Sequence, residues 1–206
     1  MPAGVSSALA DLARAFAKLR VRWYVFGAQA VVAAGVPRLT ADIDVTVEVP
    51  AGGSRALLAA LARHGVEPRD IGEDLDEFVA ETRVIPAVHA ASGLPVDIVL
   101  AGPGLEEEML ARARARTVGR RKIPFIDVAD LLCLKVLAGR EKDLAAVRAR
   151  LRAAPADLDP RVARERLARL AALLEDDALL AAFDGLAREV ARARGPKSPR
   201  RRPRSE

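Results

Sequence analysis

The stretch Phe26–Val47, FGAQAVVAAGVPRLTADIDVTV, decides the fold of this 206-residue chain. It reads as a glycine turn, a short helix of small residues and a β-branched run that contains Asp42 and Asp44. Side chains two residues apart on a strand point to the same face of a sheet. Two ionised carboxylates side by side repel each other and are costly to desolvate, and a divalent cation relieves both penalties. The stretch therefore predicts a strand that carries a metal site.

Spacing alone does not identify such a site, because the same Asp-x-Asp pattern occurs elsewhere in the chain. The further pairs are Asp74/Asp76 and Asp157/Asp159. Both lie in polar segments, where acidic residues commonly cap helices. Only Asp42 and Asp44 stand in a β-branched strand, where an ionised carboxylate needs a partner. A salt bridge to Arg38 is the alternative to a metal.

A third acid stands alone in the apolar run PVDIVL, residues 95–100. If the strand that carries Asp97 neighbours the strand of Asp42 and Asp44, the three carboxylates converge. Mg²⁺ prefers oxygen ligands and usually combines carboxylates with substrate phosphates. Asp97 could then act as a metal ligand or as the general base toward an acceptor hydroxyl. The alternative is an aspartate on an edge strand that faces solvent.

The hydrophobic pattern predicts an α/β protein of the α+β type, with a mixed α/β half followed by a helical half. Strands are predicted at about 21–26, 42–49, 84–90, 96–100 and 122–126. Helices are predicted at about 5–20, 28–34, 54–63, 105–114, 141–152, 160–174 and 177–193, with a further helix that begins at Asp127 and is interrupted at Gly139. We expect a catalytic core at 1–126, a helical region at 127–194 and a disordered basic tail at 195–206.

The order Gly27-Ala28, Arg38-x-Thr40-x-Asp42-Ile43-Asp44 and then Asp97 resembles the polymerase-β-type nucleotidyltransferase superfamily. It is most similar to the AbiEii-like nucleotidyltransferases, several of which are toxins of toxin–antitoxin systems. The helical stretch LLCLKVLAGREKDL at 131–144 is similar to a downstream helix of those proteins. The resemblance implies a mixed-sheet nucleotidyltransferase fold.

The resemblance also implies a role for each matching residue. Catalysis and metal binding fall to Asp42, Asp44 and Asp97. Nucleotide binding falls to Gly27, Ala28, Gln29, Arg38, Thr40, Lys135 and Asp143. The superfamily commonly has Gly-Ser where this chain has Gly27-Ala28, so a hydroxyl that would help hold a triphosphate is missing, and Gln29 could partly replace it. Without the resemblance, Lys135 reads as a snorkelling lysine beside a surface ion pair of Arg140 and Asp143.

These residues predict a nucleotidyltransferase that uses Mg²⁺ or Mn²⁺ and moves a nucleoside monophosphate from an NTP such as ATP to an acceptor hydroxyl, releasing pyrophosphate. The acceptor could be RNA such as tRNA, a protein or a small molecule, and a cognate antitoxin is an expected partner if the chain is a toxin. A catalytically silent nucleotidyltransferase fold that serves as a binding module is one alternative. A glycosyltransferase that holds a metal–nucleotide-sugar through Asp42 and Asp44 is another, although little chain precedes the pair.

Composition adds few constraints. The net charge of +5 and the pI near 10 come mostly from the tail at 195–206. The basic stretch at 112–122 lacks interleaved aromatic residues for base stacking, which favours a solvated face over a nucleic-acid site. A single cysteine, Cys133, cannot form an intramolecular disulfide, and no apolar run is long enough for a membrane span. We therefore expect a cytoplasmic protein without a membrane partner.

Overall fold

The computed structural model describes residues 2–33, 42–50, 53–154 and 157–194. Arg38 and Thr40, which the sequence predicts to bind nucleotide, lie outside the described residues. The tail at 195–206, which the sequence predicts to be disordered, also lies outside them. The chain divides into two compact units, Met1–Leu131 and Leu132–Glu206. This division falls a few residues after the boundary at 126/127 that the sequence predicts.

Strands and helices alternate through the first part of the chain. The strands are β1 (Trp23–Val25), β2 (Ile43–Val47), β3 (Val66–Pro68), β4 (Val84–His89), β5 (Leu94–Leu100), β6 (Arg114–Val118) and β7 (Arg121–Phe125). The helices are α1 (Ala3–Leu19), α2 (Gly27–Ala33), α3 (Gly53–Ala62), α4 (Leu75–Thr82), α5 (Leu105–Arg112), α6 (Val128–Ala138), α7 (Glu141–Ala153), α8 (Pro160–Leu174) and α9 (Asp177–Arg194). Among the described residues, no helix is both long and apolar enough to cross a membrane.

The seven strands form one sheet in the order β3-β4-β5-β2-β1-β7-β6. The pairs β2–β5 and β1–β7 are parallel, and the other pairs are antiparallel. The predicted mixed sheet is therefore confirmed, as is the antiparallel hairpin of β4 and β5. Because β5 lies between β4 and β2, the edge-strand alternative for Asp97 is wrong.

Among the residues of β2, Asp44 is the one that is not fully buried. On β2, Ile43, Val45 and Val47 are completely buried. This face belongs to the core, where α1 contacts α3, β3, β5 and β7. Asp44 alternates with these residues and points to the opposite face, where it is only partly buried. Thr46, on the same face, is buried, so on this face β2 is partly exposed at Asp44 and buried at Thr46.

A buried histidine, to which the sequence assigns no role, links α1 to the turn between β4 and β5. The His89 ring lies 3.1 Å from a carboxylate oxygen of Asp11 on α1, measured from Nε2. Its Nδ1 lies 2.7 Å from the hydroxyl of Ser92 in the turn. His89 therefore satisfies its polar atoms within the fold, as a buried polar side chain requires.

Three elements, β3, α4 and β6, have no counterpart in the predicted set. The sequence of β3 is only VEP, α4 has no buried residue, and β6 reads RARTV without apolar alternation. Each lacks the periodic apolar signal on which sequence reasoning depends.

The capping role predicted for the other acidic pairs is confirmed. Asp74 accepts a hydrogen bond from the Glu77 amide, and Asp159 accepts one from the Arg161 amide.

Candidate active site

Two of the predicted catalytic carboxylates are direct neighbours across the sheet. Asp44 on β2 and Asp97 on β5 are register partners in the parallel pair. Neighbouring strands lie about 4.8 Å apart, and register partners point to the same face. Asp42, which is exposed, immediately precedes β2, two residues before Asp44. The condition on which the predicted convergence of three carboxylates depends, that the strands of Asp44 and Asp97 are neighbours, is therefore met.

Gly27 fits against Asp44 so closely that no other residue could replace it without movement. It begins α2 with a φ of +61°, in the left-handed region. A Cβ at this position would lie 1.8 Å from Oδ2 of Asp44. The backbone beside it is also tied to β2, because the Phe26 amide donates to the carbonyl oxygen of Asp44 at 2.9 Å. The glycine turn and the carboxylate thus form one packed unit.

The side chain of Gln29 also contacts the acidic segment, at a backbone carbonyl and not at a carboxylate. Its side chain is buried, and its Nε2 donates to the carbonyl oxygen of Asp42 at 3.3 Å. The amide group that the sequence suggested as a substitute for a serine hydroxyl is therefore used, at least in part, to hold Asp42.

An arginine that sequence reasoning missed lies beside Asp97. Nη2 of Arg69 is 3.5 Å from Oδ1 of Asp97. The backbone amide of Arg69 donates to the carbonyl oxygen of Pro86 at 2.9 Å, and Pro86 is the register partner of Asp97 on β4. Arg69 follows β3, which carries no strand signal in the sequence, so nothing in the sequence places it near the carboxylates.

In the second unit, Lys135 and Asp143 form a buried ion pair. Nζ of Lys135 lies 2.8 Å from Oδ1 of Asp143, and Nε of Arg140 lies 2.5 Å from Oδ2. Lys135 and Asp143 are 6% and 2% exposed. The snorkelling alternative for Lys135 is therefore wrong, and the Arg140–Asp143 pair has a buried carboxylate. Gly139, at a φ of +64°, ends α6 and lets α7 return Asp143 to Lys135.

These contacts set the ionisation of Asp143. Burial alone would raise the pKa of its carboxyl group, but hydrogen bonds from Lys135 and Arg140 outweigh burial and hold the pKa below its ordinary value. Asp143 is therefore an ionised carboxylate fixed between two cations.

The donor chemistry of Asp44 and Asp97 fits a hard divalent cation. Within the described ranges, no group of three or more His, Cys, Asp or Glu side chains has an arrangement that could hold a metal ion. Mg²⁺ is commonly bound by only one or two carboxylates together with waters and substrate phosphates. The partly exposed, in-register carboxylate pair would supply such protein ligands and leave the remaining positions to a substrate.

No known protein family and no curated protein matches the sequence. Among solved structures, the chain is similar to the solution structure of the antibiotic-resistance factor ANT(2'')-Ia, described as showing substrate-regulated conformation dynamics. That match has a TM-score of 0.50 and 17% identity and covers 94% of this chain and 96% of the other. An antigenic nucleotidyltransferase-like protein from Paracoccidioides brasiliensis matches with a TM-score of 0.50 and 15% identity over 87% and 92% of the two chains. With its mixed sheet and its carboxylate pair, this chain has the nucleotidyltransferase-type fold.

Proposed function

We propose that this chain is a metal-dependent nucleotidyltransferase that moves a nucleoside monophosphate from an NTP to an acceptor hydroxyl. The observation that carries the proposal is the in-register pair of Asp44 and Asp97, both partly exposed. Adjacent carboxylate oxygens are ligands that Mg²⁺ prefers, and they stand here in a fold shared with nucleotidyltransferases.

The three carboxylates share the work of the proposed reaction. Asp42, Asp44 and Asp97 would hold Mg²⁺ or Mn²⁺ together with the triphosphate, and Asp97 would also accept the proton of the acceptor hydroxyl through its second oxygen. The hydroxyl oxygen forms a bond to the α-phosphorus, the bond from that phosphorus to the bridging oxygen breaks, and pyrophosphate leaves. When bound, the metal ion stabilises the negative charge that develops on the phosphoryl oxygens and the leaving group.

The nucleotide side of the site is proposed from the matching residues. Gly27 is included because its backbone packs directly against Asp44, with no room for a Cβ between them. Ala28, Gln29, Arg38 and Thr40 are the other proposed nucleotide-binding residues. Lys135 and Asp143, for which the sequence also predicts this role, are buried and paired with each other in the second unit, so we do not include them. The AbiEii-like subtype, a tRNA or other RNA acceptor and an antitoxin partner remain predictions from the sequence. A small-molecule acceptor is equally compatible with the fold.

The test follows transfer of α-³²P label from each of the four NTPs to total RNA, to protein or to small hydroxylated compounds, in the presence of Mg²⁺. Asp44→Asn should lower transfer and pyrophosphate release by about 10²–10⁴-fold, the range typical for loss of a catalytic group. Asp76→Asn on α4 is the matched control, because Asp76 belongs to an Asp-x-Asp pair outside the site, and it should retain wild-type activity.

Three results would decide against the proposal. Unchanged NTP turnover in Asp44→Asn would contradict the mechanism. Calorimetry that detects no binding of any NTP with Mg²⁺ at millimolar concentration, together with no transfer, would favour the silent binding module. Hydrolysis of a nucleotide sugar without NTP turnover would favour the glycosyltransferase.

A further inference from the structure

Arg69 lies at one end of a row of residues that crosses the sheet through the candidate site. Strand pairing places Asp44 opposite Asp97 and Asp97 opposite Pro86. The amide of Arg69 donates to the Pro86 carbonyl and so continues the row beyond β4. Residues in one row point to the same face of a sheet, which explains how the Arg69 side chain reaches Asp97.

The contact between Arg69 and Asp97 is weak enough to be exchanged. The side chains are 44% and 41% exposed, and the closest N–O distance is 3.5 Å, beyond the usual range of a hydrogen bond. Exposed ion pairs of this kind contribute little to stability because water competes for both charges. The guanidinium is therefore a replaceable cation beside the third carboxylate.

A divalent cation bound by Asp97 would share that carboxylate with the guanidinium. The two positive charges repel each other, and both are attracted to the same carboxylate. A bound triphosphate changes this balance because it adds several negative charges to the metal side of the site. Metal binding at Asp97 thus depends on what Arg69 is paired with.

We propose that Arg69 occupies the cation position of Asp97 in the substrate-free protein, so that Asp97 becomes available to the metal only when the nucleotide binds with it. Arg69 is then a positioning residue that opposes metal binding without substrate. This inference rests on the proposed function and assigns it a residue that the sequence motifs do not contain.

The experiment measures Mn²⁺ affinity of the substrate-free full chain by the electron paramagnetic resonance signal of free Mn²⁺. Arg69→Gln should tighten Mn²⁺ binding about tenfold, the effect expected for removing one charge a few ångströms from a divalent ion in a solvated site. Arg69→Lys, which retains the charge, should stay within about threefold of the wild type. Arg55→Gln, at an exposed arginine of α3, controls for the change in net charge and should have no effect.

A double-mutant cycle tests whether Arg69 acts through Asp97. In an Asp97→Asn background, Arg69→Gln should change Mn²⁺ affinity by less than about threefold. A non-hydrolysable ATP analogue should likewise reduce the difference between Arg69→Gln and the wild type, because the triphosphate has already displaced the guanidinium.

The possible failures are distinguishable. If the wild type binds Mn²⁺ and Asp44→Asn does not, while Arg69→Gln binds it with unchanged affinity, the inference is wrong and the proposed function stands. An equal gain of affinity in the Asp97→Asn background also overturns it. If the wild type binds no Mn²⁺ even with the ATP analogue, the proposed function itself fails.

Discussion

At the scale of single residues, Gly27 shows how closely the site is built. Two constraints act on this position: a left-handed backbone and the side chain of Asp44, which leaves no room for a Cβ. The first constraint is common to many turns, whereas the second ties the glycine directly to a proposed metal ligand.

We expect Gly27→Ala to destabilise the protein and to abolish Mn²⁺ binding and NTP turnover, because the methyl group must push Asp44 aside. Gly65→Ala is the matched control, since Gly65 has a similar φ of +69° but nothing within 4 Å of a Cβ. The control should cost about 1–2 kcal/mol of stability from backbone strain alone and leave activity intact. Urea denaturation and the transfer assay measure both effects, and equal behaviour of the two variants would disprove the close packing of Gly27 on Asp44.

The sequence could mark Asp44 and Asp97 as candidates, because an ionisable residue in a β-branched strand is conspicuous, whereas their proximity follows from a strand pairing that the structure shows. It contained no such signal for Arg69. An arginine is unremarkable in a polar segment, and only the pairing of β3 with β4 brings this one to Asp97. The proposed roles of Arg38 and Thr40 stay predictions.

At the scale of elements, the basic stretch at 112–122 has two kinds of arginine. Arg112 ends α5 and forms a bidentate ion pair with Asp130 on α6, whose carboxylate is 1% exposed. Its Nε donates to Oδ2 at 2.9 Å and its Nη2 to Oδ1 at 3.1 Å. It also donates to Glu108 one turn earlier, at 2.7 Å. Arg114, at the start of β6, is 74% exposed and lies 3.5 Å from Asp127. A run of like charges in the sequence therefore includes a structural anchor.

We expect Arg112→Met to cost about 3–5 kcal/mol, because it leaves the Asp130 carboxylate buried without its main cation. Arg114→Met removes the same charge from the same stretch but should cost less than about 1 kcal/mol, as for an exposed ion pair. Urea denaturation of the two variants gives the comparison. A similar loss in both would mean that the buried contact contributes no more than the exposed one.

Most elements could be predicted from their apolar period, from α1 through the β4–β5 hairpin to α9. The boundaries differ by a few residues where the last turn of a helix frays or a polar residue starts a strand, as at Arg114, which the sequence assigned to a helix and which begins β6. The missing elements are those that tertiary contacts stabilise in place of local propensity. For β3, the contact is its ladder with β4, and for α4 it is its packing beside β4.

At the scale of the whole molecule, the mixed sheet follows from pairings that no local pattern contains. The strand order puts β1 between β2 and β7, which lie far apart in the chain. Hydrophobic alternation shows that a segment is a strand and which face is buried, but not which strand it will join. The resemblance to a known superfamily, carried by scattered motifs, supplied the expectation of this fold.

Alkaline pH should destabilise the folded molecule through Tyr24, the only tyrosine of the chain. Burial raises the pKa of its hydroxyl to about 12, although a hydrogen bond with Thr46 partly offsets this effect. Between pH 10 and 12 the unfolded chain ionises while the folded chain stays neutral, so stability falls by roughly 2–3 kcal/mol across this window and levels off above it.

Absorbance at 295 nm should therefore give a tyrosinate midpoint near 12 in the folded protein and near 10 in urea. Tyr24→Phe should remove this part of the pH dependence, as followed by urea denaturation at pH 9 and pH 11. A midpoint near 10 in the folded protein would show that the hydroxyl is accessible.

The parallel pairing of β2 with β5 also bears on how the protein is made. Asp44 and Asp97 come from distant parts of the chain, and β4 and the hairpin turn must be synthesised before β5 can join β2. Long-range parallel pairing forms slowly, because loop entropy is lost before the contacts compensate for it. A nascent chain that ends before Leu100 therefore carries Asp42 and Asp44 without their partner strand. We expect the proposed site to be completed late in folding, after β5 has joined the sheet.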